Sequence, residues 1–122
     1  MTVLYAKSHE WIKKNDDGTA LIGISDFAQH ALGSLVFVNL PEVDNEIVAG
    51  EPFADVESVK AVSDVYSPVS GVVLEVNEEL LDAPEKINDD ALGAWFIKVG
   101  ELADEVELFD EAAYAAICAE EE

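Results

Sequence analysis

Arginine is absent from this chain and lysine is scarce: Lys7, Lys13, Lys14, Lys60, Lys86 and Lys98 face 27 carboxylates, for a formal net charge of −21. So few cations cannot neutralise a run of phosphates, which makes nucleic acid a poor partner. An anionic membrane surface repels the chain for the same reason. Proteins with basic rims, steered by complementary charge, fit better, although solubility or a high-salt setting accounts for the same acidity without any partner. Cysteine occurs once, at Cys118, which excludes an internal disulfide and any multi-cysteine zinc site. The two histidines, His9 and His30, lack an HExxH spacing, and no metal site is expected. No apolar run is long enough to span a bilayer, and Met1 to Tyr5 is too short for a signal peptide. A cytoplasmic chain is expected, or a mitochondrial one whose transit segment has been removed. Glycine-rich phosphate loops, a Gly-x-Ser-x-Gly elbow and a cysteine with a nearby histidine base are all missing. No catalytic residue stands out, and a carrier or binding module is favoured over an enzyme.

Half of the residues are apolar, so a single domain over 1–122 can bury roughly two-thirds of its unfolded surface. Residues 4–15 read as an extended lead-in and a strand, Asp16-Asp17-Gly18-Thr19 as a turn, and Ala20 to Ile24 as the returning strand. His9 beside Trp11 is read as packed and hydrogen-bonded. Ser25 is a good N-cap for a short helix over Asp26–Leu32, with Gly33 after its end and Phe27, Ala28, Ala31 and Leu32 on its core face. Strands follow at Leu35–Leu40, at Ile47-Val48 and, late in the chain, at Ala94–Val99. Residues 77–90 read as a polar loop with one helical turn at 78–81. The acidic segment from about 101 to 122 holds an amphipathic helix over Asp110–Glu120, with Ala113, Tyr114, Ile117 and Cys118 on one side and a frayed Glu120-Glu121-Glu122 tail. Cys118 is read as packing. Short strands with hairpin signals predict a mainly β fold, an antiparallel sandwich or flattened barrel with a short internal helix and a C-terminal helix.

The stretch Glu57-Ser58-Val59-Lys60-Ala61-Val62-Ser63-Asp64 stands apart. Alternating apolar residues run into it at Phe53 and Val56 and out of it at Val62 and Val65, and Pro68, Ser70 and Gly71 break the pattern before Val72–Val76. Residues from about 53 to 76 thus read as a hairpin with Lys60 at its tip. Small neighbours leave the amine open, and Glu57 and Asp64 flank it. An exposed amine on a rigid β support suits the attachment of a swinging cofactor arm.

These residues, with Ser67-Pro68-Val69-Ser70-Gly71 after them, resemble the H-protein family of the glycine cleavage system. Ser8-His9-Glu10-Trp11 is similar to the family's N-terminal signature. Gly23-Ile24-Ser25, Ala28-Gln29, Leu32-Gly33, Val36-Phe37-Val38, Leu40-Pro41-Glu42-Val43, Asn77, Pro84, Asn88 and Trp95 follow in register. The resemblance implies a barrel-sandwich hybrid fold of the lipoyl/biotinyl type, with lipoate in amide linkage on Lys60 and Glu57, Ser58, Val59 and Ala61 as the hairpin a modifying enzyme recognises. It further implies no catalytic site. A pyridoxal-phosphate glycine decarboxylase, an aminomethyltransferase, a dihydrolipoyl dehydrogenase and a lipoate ligase or lipoyl transferase are the implied partners. In the family the loaded arm rests in a cleft, and the matching positions are Ser8, Glu10 and Asp64. Biotinyl domains set their lysine between methionines, where Val59 and Ala61 stand here. The family's frequent histidine falls at Ala31; here His30 lies about 100° around the helix. Asp44-Asn45 replaces a usual glycine turn, and Ala94 stands where glycine is common. Two other readings stay open: a relay protein that hands lipoyl groups to other complexes, and an unmodified acidic interaction module in which Lys60 is only a loop lysine.

Overall fold

A computed structural model describes residues 3–121. Ten strands and four helices follow in order: β1 (Val3–Ala6), β2 (Glu10–Lys14), β3 (Ala20–Ile24), α1 (Asp26–Leu32), β4 (Leu35–Asn39), β5 (Glu46–Ile47), β6 (Pro52–Ser58), β7 (Val62–Tyr66), β8 (Gly71–Val76), α2 (Glu79–Asp82), α3 (Lys86–Asp89), β9 (Ile97–Gly100), β10 (Leu108–Phe109) and α4 (Glu111–Glu121). They form a seven-stranded sheet in the order β10-β1-β2-β3-β9-β8-β5 and a three-stranded sheet in the order β4-β6-β7. Every pairing is antiparallel. No helix is long and apolar enough to cross a membrane, among the described residues.

The period-2 alternation of a strand explains how one sheet serves two clusters. Ile12 on β2 and Ile22 and Ile24 on β3 point into the main core with Val38, Val56, Val65, Val73, Phe96 and Val99. Trp11, between Glu10 and Ile12, points the opposite way, into a second cluster with Tyr5 and Tyr114 under α4. Its indole N–H donates to Ala91 O at 3.1 Å, which satisfies the one polar atom of a fully buried ring. Trp11 faces Gly23 directly across the β2–β3 pair. A Cβ on Gly23 would stand 2.6 Å from the ring, so only glycine leaves room.

The sandwich and the short internal helix stand as expected, and several details differ. Ser25 caps α1, its Oγ accepting from Ala28 N–H at 3.1 Å. The α1 residue that is buried is Gln29, while Phe27, Ala28 and Leu32 are half-buried and Ala31 is exposed. A polar residue goes inside because Asn88 donates to its side-chain oxygen at 2.8 Å. The loop after β8 holds two helical turns, α2 and α3, each led by an apolar residue, Leu80 or Ile87, driven into the core. The last long strand starts only at Ile97, because Ala91, Ala94 and Phe96 are buried as an irregular segment. The short β10 was not foreseen; two residues carry too little periodicity to read. Residues Glu120 and Glu121 belong to α4 instead of a frayed tail, and Glu122 lies outside the described residues.

Replacement Gly23→Ala must displace the Trp11 ring from a packed cluster. Overpacking of this kind costs about 1–3 kcal/mol, and chemical denaturation is expected to show a loss in that range with the β-sheet spectrum retained.

Candidate functional site: the lysine hairpin and the Ser8–Glu10 turn

Strands β6 and β7 pair from Glu57↔Val62 inward, leaving Val59, Lys60 and Ala61 to turn the chain. Ser58 closes this loop. Its N–H donates to Ala61 O at 2.8 Å, and its Oγ accepts from Lys60 N–H at 3.2 Å and Ala61 N–H at 3.0 Å. A small hydroxyl thus satisfies two loop donors that a tight turn would leave open. Val59 N–H donates to Ser34 O at 3.0 Å, which pins the tip to the segment after α1. That segment is held by Asn88, whose side chain donates to Gly33 O at 2.9 Å and accepts from Leu35 N–H at 2.9 Å.

Lys60 itself is exposed, with no salt bridge among the described residues, whereas Lys14, Lys86 and Lys98 each pair with a glutamate. Its Cε passes 3.7 Å from where a Gly33 Cβ would stand, so the stem lies along the end of α1 and the amine projects beyond it. Val59 and Val62 beside it are 71% and 66% exposed, unusual for valine and available to a partner surface. Glu57 is exposed and stands beside Phe37 and Val62 on the outer face of the small sheet.

Ser8 and Glu10 belong to the turn from β1 to β2. Ser8 Oγ donates to Glu10 Oε1, and Tyr66 N–H donates to Glu10 Oε2 at 3.3 Å. Glu10 is buried, on the same inward face of β2 as Ile12, so it links the large sheet to the end of β7. Burial penalises the charged form and pushes its carboxyl up to about 7, against the opposing pull of these two hydrogen bonds. Asp64 lies two positions before Tyr66 on β7, exposed, next to Asp55 across the strand pair. The structure therefore brings Ser8 and Glu10 into contact and ties Glu10 to β7, while Asp64 makes no side-chain hydrogen bond to either among the described residues.

His9 is packed and hydrogen-bonded, as expected beside an aromatic, but its neighbours come from α1 and α4 and not from Trp11. His30 is exposed and lines a groove between α1 and α4 with Cys118. Cys118 is half-buried against the Tyr5–Trp11–Tyr114 cluster. Reasoning from sequence missed Gly33, Ser34 and Asn88 as supports of the tip. The Gly-Ser pair directly after a helix stop was the available signal.

Residues 3–121 match the family model described as glycine cleavage H-protein. The chain belongs to the glycine cleavage H-protein family. It is 58% identical over 112 residues to the glycine cleavage system H protein of Lachnoclostridium phytofermentans, covering 92% of this chain and 88% of the relative. It is also 58% identical over 122 residues to that of Alkaliphilus oremlandii, covering 98% and 94%. The crystal structure of a glycine cleavage system H protein from Mycobacterium marinum superposes with a TM-score of 0.87 at 39% identity, covering 94% of each chain. This family is the lipoyl carrier of the glycine cleavage system, a non-catalytic component that works with the other components of that system.

Because folding favours the protonated Glu10, the folded chain takes up a proton between pH 4.5, the group's ordinary value, and about 7. Its contribution to stability is complete below that window and is lost as pH rises through it. Glu10→Gln, which stays neutral, is expected to match the parent chain near pH 4, below the window, and to exceed it at pH 8 by about 1–3 kcal/mol. Urea unfolding of both chains at the two pH values measures the difference.

Proposed function

We propose that Lys60 carries lipoate in amide linkage, and that Ser8, Glu10 and Asp64 line the cleft in which the loaded arm rests between visits to its partners. The observation that carries this reading is the exposed Lys60, without a salt bridge among the described residues, on a loop closed by Ser58. An attaching enzyme requires a free amine presented on backbone that does not collapse around it. The residues present fit the group: a primary amine, small neighbours at Ser58 and Ala61, and no carboxylate bonded to it among the described residues.

When bound, the lipoyl group supplies a disulfide that accepts the aminomethyl unit of glycine and is left as a dithiol once that unit is passed on. The chain's own residues present, orient and shelter. Ser58 fixes the direction in which the Lys60 stem leaves the tip. The α1 terminus at Gly33 guides the first part of that stem. A tethered arm raises the effective concentration of its far end at each successive partner site. Glu10 offers a buried carboxyl group at the rim of the core, where pairing with a protonated amine is stronger than in open water. Ser8 orients that carboxylate. The partners in this reading are the pyridoxal-phosphate glycine decarboxylase, the aminomethyltransferase, the dihydrolipoyl dehydrogenase and a lipoate ligase or lipoyl transferase, working in the cytoplasm. The acidic surface supports docking against basic rims.

Reconstitution with the other components tests the proposal. The lipoate-treated chain is expected to support glycine decarboxylation and Lys60→Arg to support none; activity retained by Lys60→Arg would overturn the assignment. Ser58→Ala leaves Lys60 present but unclips the loop. Its kcat/KM as a substrate for lipoate attachment is expected to fall at least roughly three- to tenfold, since the loop loses the hydrogen bonds from Lys60 N–H and Ala61 N–H.

A further inference from the structure

The turn that carries Ser8 and Glu10 has an unusual residue at its most demanding position. Lys7, Ser8 and His9 connect β1 to β2, and His9 N–H donates back to Ala6 O at 2.9 Å. In a three-residue hairpin loop the last residue adopts the left-handed conformation, a place that glycine fills without steric cost. Here it is His9, at φ 79°. Histidine enters that region more readily than most side chains, yet it still costs free energy there relative to glycine, which surrounding contacts must offset.

Those contacts are present, and they come from the other end of the chain. His9 Nδ1 lies 2.7 Å from Tyr114 Oη, and Nε2 lies 3.0 Å from the Glu121 carboxylate, both on α4. The ring stacks on Phe27 of α1 with centroids 4.7 Å apart. Tyr114 Oη is also 2.6 Å from Ser25 Oγ, the cap of α1, and its ring stacks on Tyr5 at 4.3 Å. Ser25 N–H donates to His9 O at 2.9 Å. Burial pushes the Tyr114 phenol above its ordinary value, so the hydroxyl keeps its proton for this network. The same α1 ends at Gly33 against the Lys60 stem.

We propose that His9 is a positioning residue for the arm cleft: clasped by Tyr114 and Glu121 of the C-terminal helix, it holds the β1–β2 turn so that Ser8 and Glu10 face the arm. The inference rests on the preceding reading that those two residues line the cleft. It gives α4 a role in the carrier cycle, although the helix lies away from the lysine hairpin. His9 acts through the backbone on either side of it and touches no part of the arm.

The test uses the full-length chain with four variants. His9→Gly removes the ring and relieves the left-handed backbone; His9→Asn tolerates that backbone and keeps a polar side chain. Tyr114→Phe deletes one hydroxyl and retains the stack on Tyr5, and Glu10→Ala is the reference for the cleft. The first readout is the Glu10 carboxyl titration by NMR in the unmodified chain. It is expected near 7 in the parent and to fall toward 4.5 in His9→Gly and Tyr114→Phe as the turn loosens and water enters. His9→Asn is expected to recover part of the shift. The second readout is the lifetime of the aminomethyl-loaded arm, lost when water cleaves its S–CH2 bond to leave thiol, formaldehyde and ammonium. A roughly three- to tenfold shortening in His9→Gly is expected, with the rate of lipoate attachment at Lys60 unchanged. An unmoved Glu10 titration in both His9→Gly and Tyr114→Phe overturns the inference. So does an unmoved lifetime in His9→Gly where Glu10→Ala shortens it. An unmoved lifetime in Glu10→Ala overturns instead the cleft reading on which the inference rests.

Discussion

Closure of the Val59-Lys60-Ala61 loop by Ser58 is the contact on which the candidate site depends. A lysine presented to another enzyme must be exposed, yet exposure of a tip ordinarily comes with backbone freedom. Ser58 resolves this conflict by satisfying loop N–H groups from a side chain that is itself buried at the end of β6. Behind it, Val59 is tied to Ser34, and Ser34 follows the Gly33 carbonyl that Asn88 holds. The order in the tip therefore comes from three separate parts of the chain. None of them needs to touch the Lys60 amine, which remains free for chemistry.

The second constraint is the strict alternation of β2. Three consecutive residues serve three purposes: Glu10 turns inward to meet β7, Trp11 turns outward beneath α4, and Ile12 turns inward to the core. A one-residue slip would turn Trp11 and Lys13 into the main core and Glu10 and Ile12 toward α4, so the register is strongly held. Because Glu10 occupies the rim of the core, its carboxyl lies near neutrality, a setting where a cationic neighbour would shift it toward the charged form. The large sheet thus supports the main core with one face and the aromatic clasp of the C-terminal helix with the other.

Much of this was legible beforehand, for identifiable reasons. Ser25 and Gly33 bracket α1 by local chemistry alone, and the alternation around Lys60 needs no tertiary information. Ser8 and Glu10, placed together by family resemblance, are in direct contact. Other features were hidden because their cause is non-local. Gln29 is inside because Asn88, far along the chain, bonds its side-chain oxygen while Asp26 accepts from its nitrogen. The two-residue β10 exists because Phe109 and Leu108 find Tyr5 and Ala6. His9 adopts a glycine conformation because Tyr114, Glu121 and Phe27 surround it, and no turn motif announces that. Asp44, in place of a usual glycine, likewise keeps a positive φ of 78°, a cost of order 1 kcal/mol that the surrounding structure offsets.

The account turns on one amine being the attachment point. Peptide mass analysis after incubating the chain with lipoate, ATP and a lipoate ligase tests that most directly. The account predicts a lipoyl increment on the peptide containing Lys60 and on no other lysine. An increment on another lysine, or none with a ligase that modifies a control H protein, would contradict it.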